Sequence, residues 1–323
     1  MRSWRKSLMV VFASLQIVGA LAFMAMAQEG RTGSGVDLVV TFGQGSAADV
    51  IARILAQAAE KHLGEPIRVI QKTMDGGAEG YRYVKGAGPD GRMVIWNSTA
   101  VLTMIHQGKL DFDHRAFSGV ARITVDPLSL VAATNSSWKD LRSFIEQAKA
   151  NPGLKIGHEG PGTFAHLVTV SLENAAKVSF THVQSSPTPN AIEALIQGKI
   201  DASSQAVAGI AGAAREGKIR ILGVSGEVRS PAFPDVPTFK EQGIPLAMDI
   251  WRGLAVPRGT PGEAIARLDA AFEKASKDPS FVEASKKYGF AIRYLGSADF
   301  DSLIDKDDVT ISAVLEKIGL KKR

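Results

Sequence analysis

The sequence predicts an α/β protein with mainly parallel sheets, and three observations support this class. Strand-like and helix-like segments alternate almost without interruption, as they do in strand–helix–strand units. A strand, a glycine loop and a helix occur at 36–63 and again at 154–177. Hydrophobic residues make up 45% of the 323 residues, which is enough for a large core. The length and the repeated unit together predict two similar lobes.

The N-terminal residues predict a secretory signal peptide. Residues 1–6 are basic, residues 8–22 are apolar, and Ala25-Met26-Ala27 matches a cleavage site. The apolar run is shorter than the roughly 20 residues that a membrane-spanning helix needs. We therefore expect cleavage before Gln28 and export of the mature protein, with an uncleaved N-terminal anchor as the alternative.

The charge and the cysteine content exclude two kinds of site. The formal net charge is +5, and Arg2, Arg5 and Lys6 of the predicted signal peptide carry three of these charges. The balance of the mature chain gives no basic surface of the kind that binds nucleic acid. The chain has no cysteine, which excludes disulfides and thiolate ligands.

The first repeated unit begins with a predicted strand at 36–42 that leads into a helix. Ser46 and Asp49 have the spacing of a capping box. In this motif the Ser46 side chain accepts from the Asp49 amide, and the Asp49 side chain accepts from the Ser46 amide. The loop Gly43-Gln44-Gly45-Ser46 therefore lies at a helix N-terminus, where free amides and the helix dipole favour an anion. One turn on, Asp49 and Arg53 are expected to form an ion pair rather than to contact a ligand.

The second unit repeats this arrangement with Glu159-Gly160-Pro161-Gly162-Thr163 between a strand at 155–158 and a helix that ends near residue 176. Ligands of open α/β sheets bind beyond the carboxyl ends of the strands, so both glycine loops are candidate binding segments. His166 lies in the first turn of the second helix, where it either lines the site or packs in the interior.

The remaining segments continue the alternation. Strands are predicted at 66–70, 93–96, 128–133, 178–183, 200–203, 219–225, 251–256 and 291–295. Helices are predicted after the loops at 75–80 and 97–99, at 137–151, 188–198, 207–216 and 260–278, and at the end of the chain to about residue 318. The strand at 251–256 begins with Trp251 and Arg252. Trp251 either walls a cleft or packs in the core, and Arg252 is the best-placed free cation for a carboxylate.

Enzyme and metal chemistry have weak support in the sequence. Gly43-x-Gly45-x-x-Ala48 matches a relaxed dinucleotide fingerprint, but Gln71 and Lys72 stand where a ribose-binding acid is expected. No two histidines have the spacing of a helical metal site, and no G-x-S-x-G elbow identifies a serine nucleophile. An exported hydrolase or an NADP-linked oxidoreductase that uses the 43–48 loop remains the enzyme alternative.

Five blocks resemble the substrate-binding proteins of tripartite tricarboxylate transporters, the Bug-type receptors. They are FGQGSAADVIARIL at 42–55, GPGTFAHL at 160–167, AIEALIQGKID at 191–201, VRSPAFPDVPTFKEQGIP at 228–245 and WRGLAVPRGTP at 251–261. The resemblance implies a two-lobed type II periplasmic-binding-protein fold with hinge strands. It assigns 1–27 to the signal peptide, 28–133 and 249–323 to lobe 1, and 134–248 to lobe 2.

The resemblance also implies a function. A monomeric receptor in the periplasm would close its lobes over a small organic carboxylate and deliver it to membrane transporter subunits, without a cofactor, a metal or a catalytic residue. A ligand sensor that partners a membrane kinase is the second alternative. The candidate ligand-binding residues are Phe42, Gly43, Gln44, Gly45, Ser46, Asn97, Gly162, Thr163, Phe164, His166, Thr188, Asp201 and Trp251.

The chain departs from the family pattern at three places. Gln44 interrupts paired glycines in the first loop, Gln71-Lys72-Thr73-Met74 replaces an Asn-Arg-Pro-Gly run, and the residues at 185–189 lack the usual aromatic and basic groups. The altered wall at 185–189 and Gln44 predict a ligand specificity that differs from that of the relatives.

Overall fold

Buried apolar runs form the strands at the centre of the fold. The structure, a computed structural model, describes residues 35–185 and 188–322, so the predicted signal peptide lies outside the described residues. The strands are β1 (Val36–Val40), β2 (Ile67–Gln71), β3 (Met93–Ser98), β4 (Phe117–Ala133), β5 (Leu154–His158), β6 (Phe180–Gln184), β7 (Ala202–Ala206), β8 (Ile219–Val224), β9 (Asp249–Pro257) and β10 (Ala291–Gly296). Every residue of β1 is buried, as expected for a strand covered on both faces.

Helices connect most of these strands. They are α1 (Ala47–Leu63), α2 (Ala78–Lys85), α3 (Ala100–His106), α4 (Leu141–Ala150), α5 (Phe164–Ala176), α6 (Thr188–Ile196), α7 (Val207–Arg215), α8 (Gly262–Ser276), α9 (Pro279–Tyr288) and α10 (Ser297–Lys317). Two short 3₁₀ helices, Met74–Gly77 and His114–Ala116, complete the set. Among the described helices, none combines the length and the hydropathy that crossing a bilayer requires.

The described strands join in one sheet with the order β2-β1-β3-β9-β4-β7-β5-β6, and β8 and β10 also pair with β4. β1 runs parallel to β2 and β3, and β5 runs parallel to β6 and β7. The long strands β4 and β9 are antiparallel to each other and lie between these two parallel groups. The predicted α/β class is confirmed.

Strand β4 changes partners halfway along its length. Its first part, from Phe117 to Pro127, pairs with β9, whereas Leu128–Val131 pairs with β7. The sequence predicted only the part at 128–133, because a charged and proline-containing stretch, Asp126-Pro127, interrupts the apolar pattern. Val36–Arg323 forms one compact unit, and the boundaries of the two lobes remain a prediction.

Each parallel group of strands has its own hydrophobic core. Leu38 of β1 packs with Leu55 of α1 and Phe272 of α8 in the first core. Ile156 of β5 packs with Phe144 of α4 and with side chains of α5 in the second. These cores fix the helix starts of α1 and α5 against the ends of β1 and β5, which positions both glycine loops.

Candidate functional site

The first glycine loop is ordered by the predicted cap. Ser46 Oγ accepts from the Asp49 amide at 3.3 Å, while the Ser46 amide donates to the Gly43 carbonyl at 3.1 Å. The Asp49 carboxylate reaches the amide of Gly45 at 2.9 Å rather than that of Ser46. The predicted capping box is therefore shifted by one residue, because the Ser46 amide is already used and Gly45 turns its amide inward with a φ of 76°.

Asp49 is a buried acceptor for several donors. It is 2% exposed, and its Oδ1 accepts from Arg53 Nε at 3.0 Å and from Gln71 Nε2 at 3.1 Å. The predicted ion pair with Arg53 is confirmed, and Gln71, which stands where a ribose-binding acid was expected, supports the loop instead. Gly43, Gln44 and Gly45 remain exposed, so the outer face of the loop is accessible to a ligand.

Replacing Ser46 with alanine is expected to lower the free energy of unfolding by about 1 kcal/mol, because the Asp49 amide loses its acceptor. Urea unfolding of the mature protein measures this change. Ser302→Ala, on the exposed side of α10, is the control and is expected to change stability by less than about 0.5 kcal/mol. An equal effect of both substitutions would contradict the capping role.

The second glycine loop has the same hydrogen-bond pattern as the first. Thr163 Oγ1 accepts from the His166 amide at 3.4 Å, and the Thr163 amide donates to the Gly160 carbonyl at 3.3 Å. His166 Nδ1 accepts from the Gly162 amide at 3.0 Å, in the place that Asp49 takes at Gly45. The supporting side chain is thus a carboxylate in the first loop and an imidazole in the second.

Gln107, which follows α3, joins the second glycine loop to the part of the fold built on the first parallel group of strands. Its Nε2 donates to the Gly162 carbonyl at 3.2 Å, and helix α3 itself begins just after the end of β3. Gly162 has a φ of 74°, and a Cβ there would meet the Gln107 amide nitrogen. The backbone conformation therefore favours glycine at this turn, and a side chain there would also displace the end of Gln107.

Phe42 lies next to the buried side chain of Arg252. The Arg252 guanidinium carbon is 6.0 Å from the centroid of the Phe42 ring, and the guanidinium forms an ion pair with Asp126 of β4. Arg252 is 9% exposed and Asp126 is 8% exposed, and burial lowers the pKa of Arg252 to about 10. The prediction that Arg252 is a free cation is wrong, because a carboxylate of the neighbouring strand already neutralises it.

Asn97 is buried at the end of β3, and its side-chain oxygen is hydrogen-bonded within the protein. Its Oδ1 accepts from the Tyr81 hydroxyl at 3.0 Å and from the Ser98 amide at 2.8 Å. Burial raises the pKa of Tyr81, so the phenol remains a donor. These bonds hold the residues before α3, at the same edge of the sheet as Phe42.

Trp251 and Phe164 line a common cavity of about 180 Å³. Trp251 is 1% exposed, stacks edge-on against Phe300 with ring centroids 5.1 Å apart, and donates from Nε1 to Asp307 Oδ2 at 2.9 Å. Of the two predicted roles for Trp251, the structure therefore supports packing in the core, with one side of the residue facing the cavity.

Asp249 lies in the wall of the same cavity at the start of β9, and its Oδ1 is buried without a hydrogen-bond partner in the described part of the chain. Burial raises the pKa of Asp249 from 3.8 to about 6. The folded protein binds the Asp249 proton more tightly than the unfolded chain does, so the protonated group favours the folded state. This contribution to the free energy of unfolding is fully present below pH 3.8 and is lost as the pH rises through 6.

Asp249→Asn is therefore expected to raise the free energy of unfolding at pH 7.5 by on the order of 1 kcal/mol, because the variant buries no charge. The gain should shrink as the pH is lowered to 4. Urea unfolding at both pH values measures it, with the exposed Asp111→Asn as control. A loss of stability at pH 7.5 would contradict the assignment.

Thr188 and Asp201, two of the predicted ligand-binding residues, contact different strands. The Thr188 hydroxyl donates to Gln205 Oε1 at 2.9 Å, near the end of β7. Asp201 accepts from the Lys155 amide at 2.8 Å, and Lys155 belongs to the beginning of β5. The second glycine loop follows the other end of β5, so Asp201 is not brought beside it.

Three histidines meet beside the second loop, although their positions in the sequence form no motif. The rings of His158 and His166 are stacked with centroids 4.5 Å apart, and His182 lies 5.3 Å and 4.8 Å from them. One ring nitrogen from each histidine lies within 4.8 Å of those of the other two. Adjacent parallel strands bring His158 and His182 together, and this pairing could not be read from the chain.

The fold and the sequence are similar to those of known receptors. Residues 51–320 match the family model described as "Tripartite tricarboxylate transporter family receptor". The UPF0065 protein in the gbd 5′ region of Cupriavidus necator is 29% identical over 315 residues, covering 97% of this chain and 96% of the relative.

Two solved structures are also similar. A TctC solute binding protein from Polaromonas has a TM-score of 0.81 and 28% identity, with 89% of this chain and 100% of that chain covered. MatC from Rhodopseudomonas palustris, solved with bound malate, has a TM-score of 0.69 and 28% identity, with 87% and 98% covered. The match over most of the sequence and the shared fold show that this chain belongs to the tripartite tricarboxylate transporter receptor family.

Proposed function

We propose that the mature protein is a periplasmic receptor that captures a small organic carboxylate between two lobes and delivers it to membrane transporter subunits. The observation that carries this proposal is the repeated loop geometry at two helix N-termini. In each, the hydroxyl group of Ser46 or Thr163 caps the helix. The backbone amide of the same residue donates to a glycine carbonyl three residues earlier. Such helix starts favour anions.

The donors for the carboxylate differ between the two loops. In the first loop, Gln44 is exposed and Ser46 is partly exposed, so both side chains can reach a ligand. In the second, the Thr163 hydroxyl already donates to the Gly160 carbonyl at 2.8 Å. Each helix start is worth on the order of 1 kcal/mol, and charge-assisted hydrogen bonds add to it.

Binding by lobe closure requires no covalent chemistry. Strands β4 and β9 cross between the two parallel groups of strands, and we assign them as the hinge. The ligand would bind first to one loop and be enclosed when the other approaches. MatC, solved with malate, supports a carboxylic acid as the ligand class for this chain.

A thermal-shift screen of residues 28–323 tests the proposal. The panel contains mono-, di- and tricarboxylates, aromatic acids and nicotinate-like acids, with the corresponding primary alcohols or amides as neutral controls. We expect at least one acid, but not its neutral counterpart, to raise the melting temperature, because a ligand that binds only the folded state stabilises it. If no acid in the panel raises the melting temperature, carboxylate capture is not the function.

A further inference from the structure

The hydrogen bonds of the histidine cluster determine which ring nitrogens carry protons. His158 Nδ1 accepts from the Gly160 amide at 3.1 Å, and His166 Nδ1 accepts from the Gly162 amide at 3.0 Å. A backbone amide can only donate, so neither Nδ1 carries a proton. Both rings are therefore neutral, with the proton on Nε2.

The same reasoning extends through His182 to a carboxylate. His158 Nε2 lies 3.2 Å from His182 Nδ1, and His182 Nε2 lies 3.2 Å from Glu173 Oε2. Because His158 Nε2 carries its proton, it donates to His182 Nδ1, and His182 Nε2 donates to Glu173. The cluster is a directed chain of donors that begins at the loop amide and ends at Glu173.

This proton arrangement opposes a metal centre, even though three imidazoles are close together. A metal bound at Nε2 of His158 or His166 would displace the proton to Nδ1 of the same ring. That proton would point at the amide proton of Gly160 or Gly162. Metal binding would therefore break the bonds that order the second glycine loop.

We propose that His158 and His166 are positioning residues whose neutral rings hold the second glycine loop in its binding conformation, and that a proton added to either ring releases this loop. An added proton can go only to Nδ1, because Nε2 already carries one. It removes the acceptor for the Gly160 or Gly162 amide. This inference rests on the proposed function for its consequence, since the released loop no longer presents the start of α5 to a carboxylate.

The surroundings of the two rings favour the neutral form at neutral pH. His158 is 2% exposed and His166 is 8% exposed. Burial, with the neighbouring imidazoles, lowers the pKa of His158 from 6.5 to about 4, and burial also lowers the pKa of His166. Glu173 of α5 opposes this effect at His166, and Glu159 of the loop, whose own pKa is raised by burial, is the nearest acid in sequence.

The sign of the pH effect follows from these pKa values. The unfolded chain takes up a proton at His158 near pH 6.5, whereas the folded chain does so only near pH 4. The folded state, and the loop with it, therefore loses stability as the pH falls through this window.

Nuclear magnetic resonance of ¹⁵N-labelled residues 28–323 tests the proposal without any ligand. At pH 7.5, the ring nitrogen signals of His158 and His166 are expected to show the Nε2-protonated form. On titration to pH 4, the amide signals of Gly160 and Gly162 are expected to move together with the protonation of the rings. An Nδ1-protonated ring at pH 7.5, or loop amides that stay in place while the rings titrate, would overturn it.

Matched variants distinguish the loss of the hydrogen-bond acceptor from the protonation of the histidine ring. His166→Asn places an amide oxygen near the position of Nδ1, so the Gly162 amide should keep its signal at pH 7.5 and lose its response to acid. His166→Leu removes the acceptor, and the Gly162 signal should be displaced at every pH. His158→Asn gives the same test at Gly160, and His62→Asn, at the end of α1, is the control.

One equivalent of zinc chloride at pH 7.5 tests the metal alternative. We expect the three rings to keep their signals, and coordination of zinc by all three with the loop amides still bonded would overturn the proposal. These measurements use no carboxylate. A failed ligand screen would therefore reject the proposed function while leaving the coupling between rings and loop open to direct observation.

Discussion

Replacing Asp126 with alanine is expected to lower the free energy of unfolding by about 3–5 kcal/mol, one of the two largest effects of any substitution considered for this protein. Arg252 and Asp126 each keep about a tenth of their side chains exposed and lie on neighbouring antiparallel strands. Removing the carboxylate leaves a buried guanidinium without its counter-ion. Urea unfolding of the mature protein measures the loss.

Two controls separate the buried charge from a general effect of truncation. Glu216→Ala removes one partner of the exposed pair with Lys218 and is expected to cost less than about 1 kcal/mol. The double substitution Asp126→Leu with Arg252→Met replaces both charges by apolar groups and should restore most of the stability. If Asp126→Ala costs no more than Glu216→Ala, the ion pair is not the stabilising feature of the β4–β9 crossing.

Replacing Trp251 with alanine is expected to cost about 3–5 kcal/mol, the range for removing a large buried aromatic side chain. The substitution removes the contact with Phe300 and leaves the Asp307 carboxylate without its indole donor. Denaturant unfolding, followed by circular dichroism because the substitution removes one of the fluorescent tryptophans, measures this loss.

Trp251→Phe distinguishes a core role from a ligand-wall role. The phenyl ring keeps most of the apolar contact and loses the hydrogen bond, so a cost of about 1–2 kcal/mol is expected. Calorimetric titration with the acid that gives the largest thermal shift should show an unchanged affinity for this variant. A large loss of affinity with little loss of stability would place Trp251 against the ligand instead.

The parts of the fold that depend on nearby residues were predictable from the sequence. Ser46 and Thr163 begin helices because a hydroxyl can accept an amide three residues later. Gly64 ends α1 with a φ of 76°, a conformation that glycine adopts without strain. These interactions span only a few residues, so the spacing of residue types is enough to indicate them.

The supporting contacts of the site depend on residues far apart in the chain, and the sequence did not indicate them. Gln71 reaches Asp49 because β2 pairs with β1, and Asp126 meets Arg252 because β4 pairs with β9. His158 and His182 meet because β5 and β6 are parallel neighbours, with His182 opposite Ile156, two residues before His158 on the same face. Periodicity predicts that a segment is a strand but leaves its partner and register open.

A crystal structure of residues 28–323 with the carboxylate that gives the largest thermal shift tests the central claim most directly. We predict a carboxylate group within about 2.7–3.2 Å of the amides at the start of α1 or of Ser46 Oγ, with the rest of the molecule covered by the second glycine loop. A carboxylate bound only in the cavity beside Trp251 and Phe164, or away from both loops, would contradict the claim.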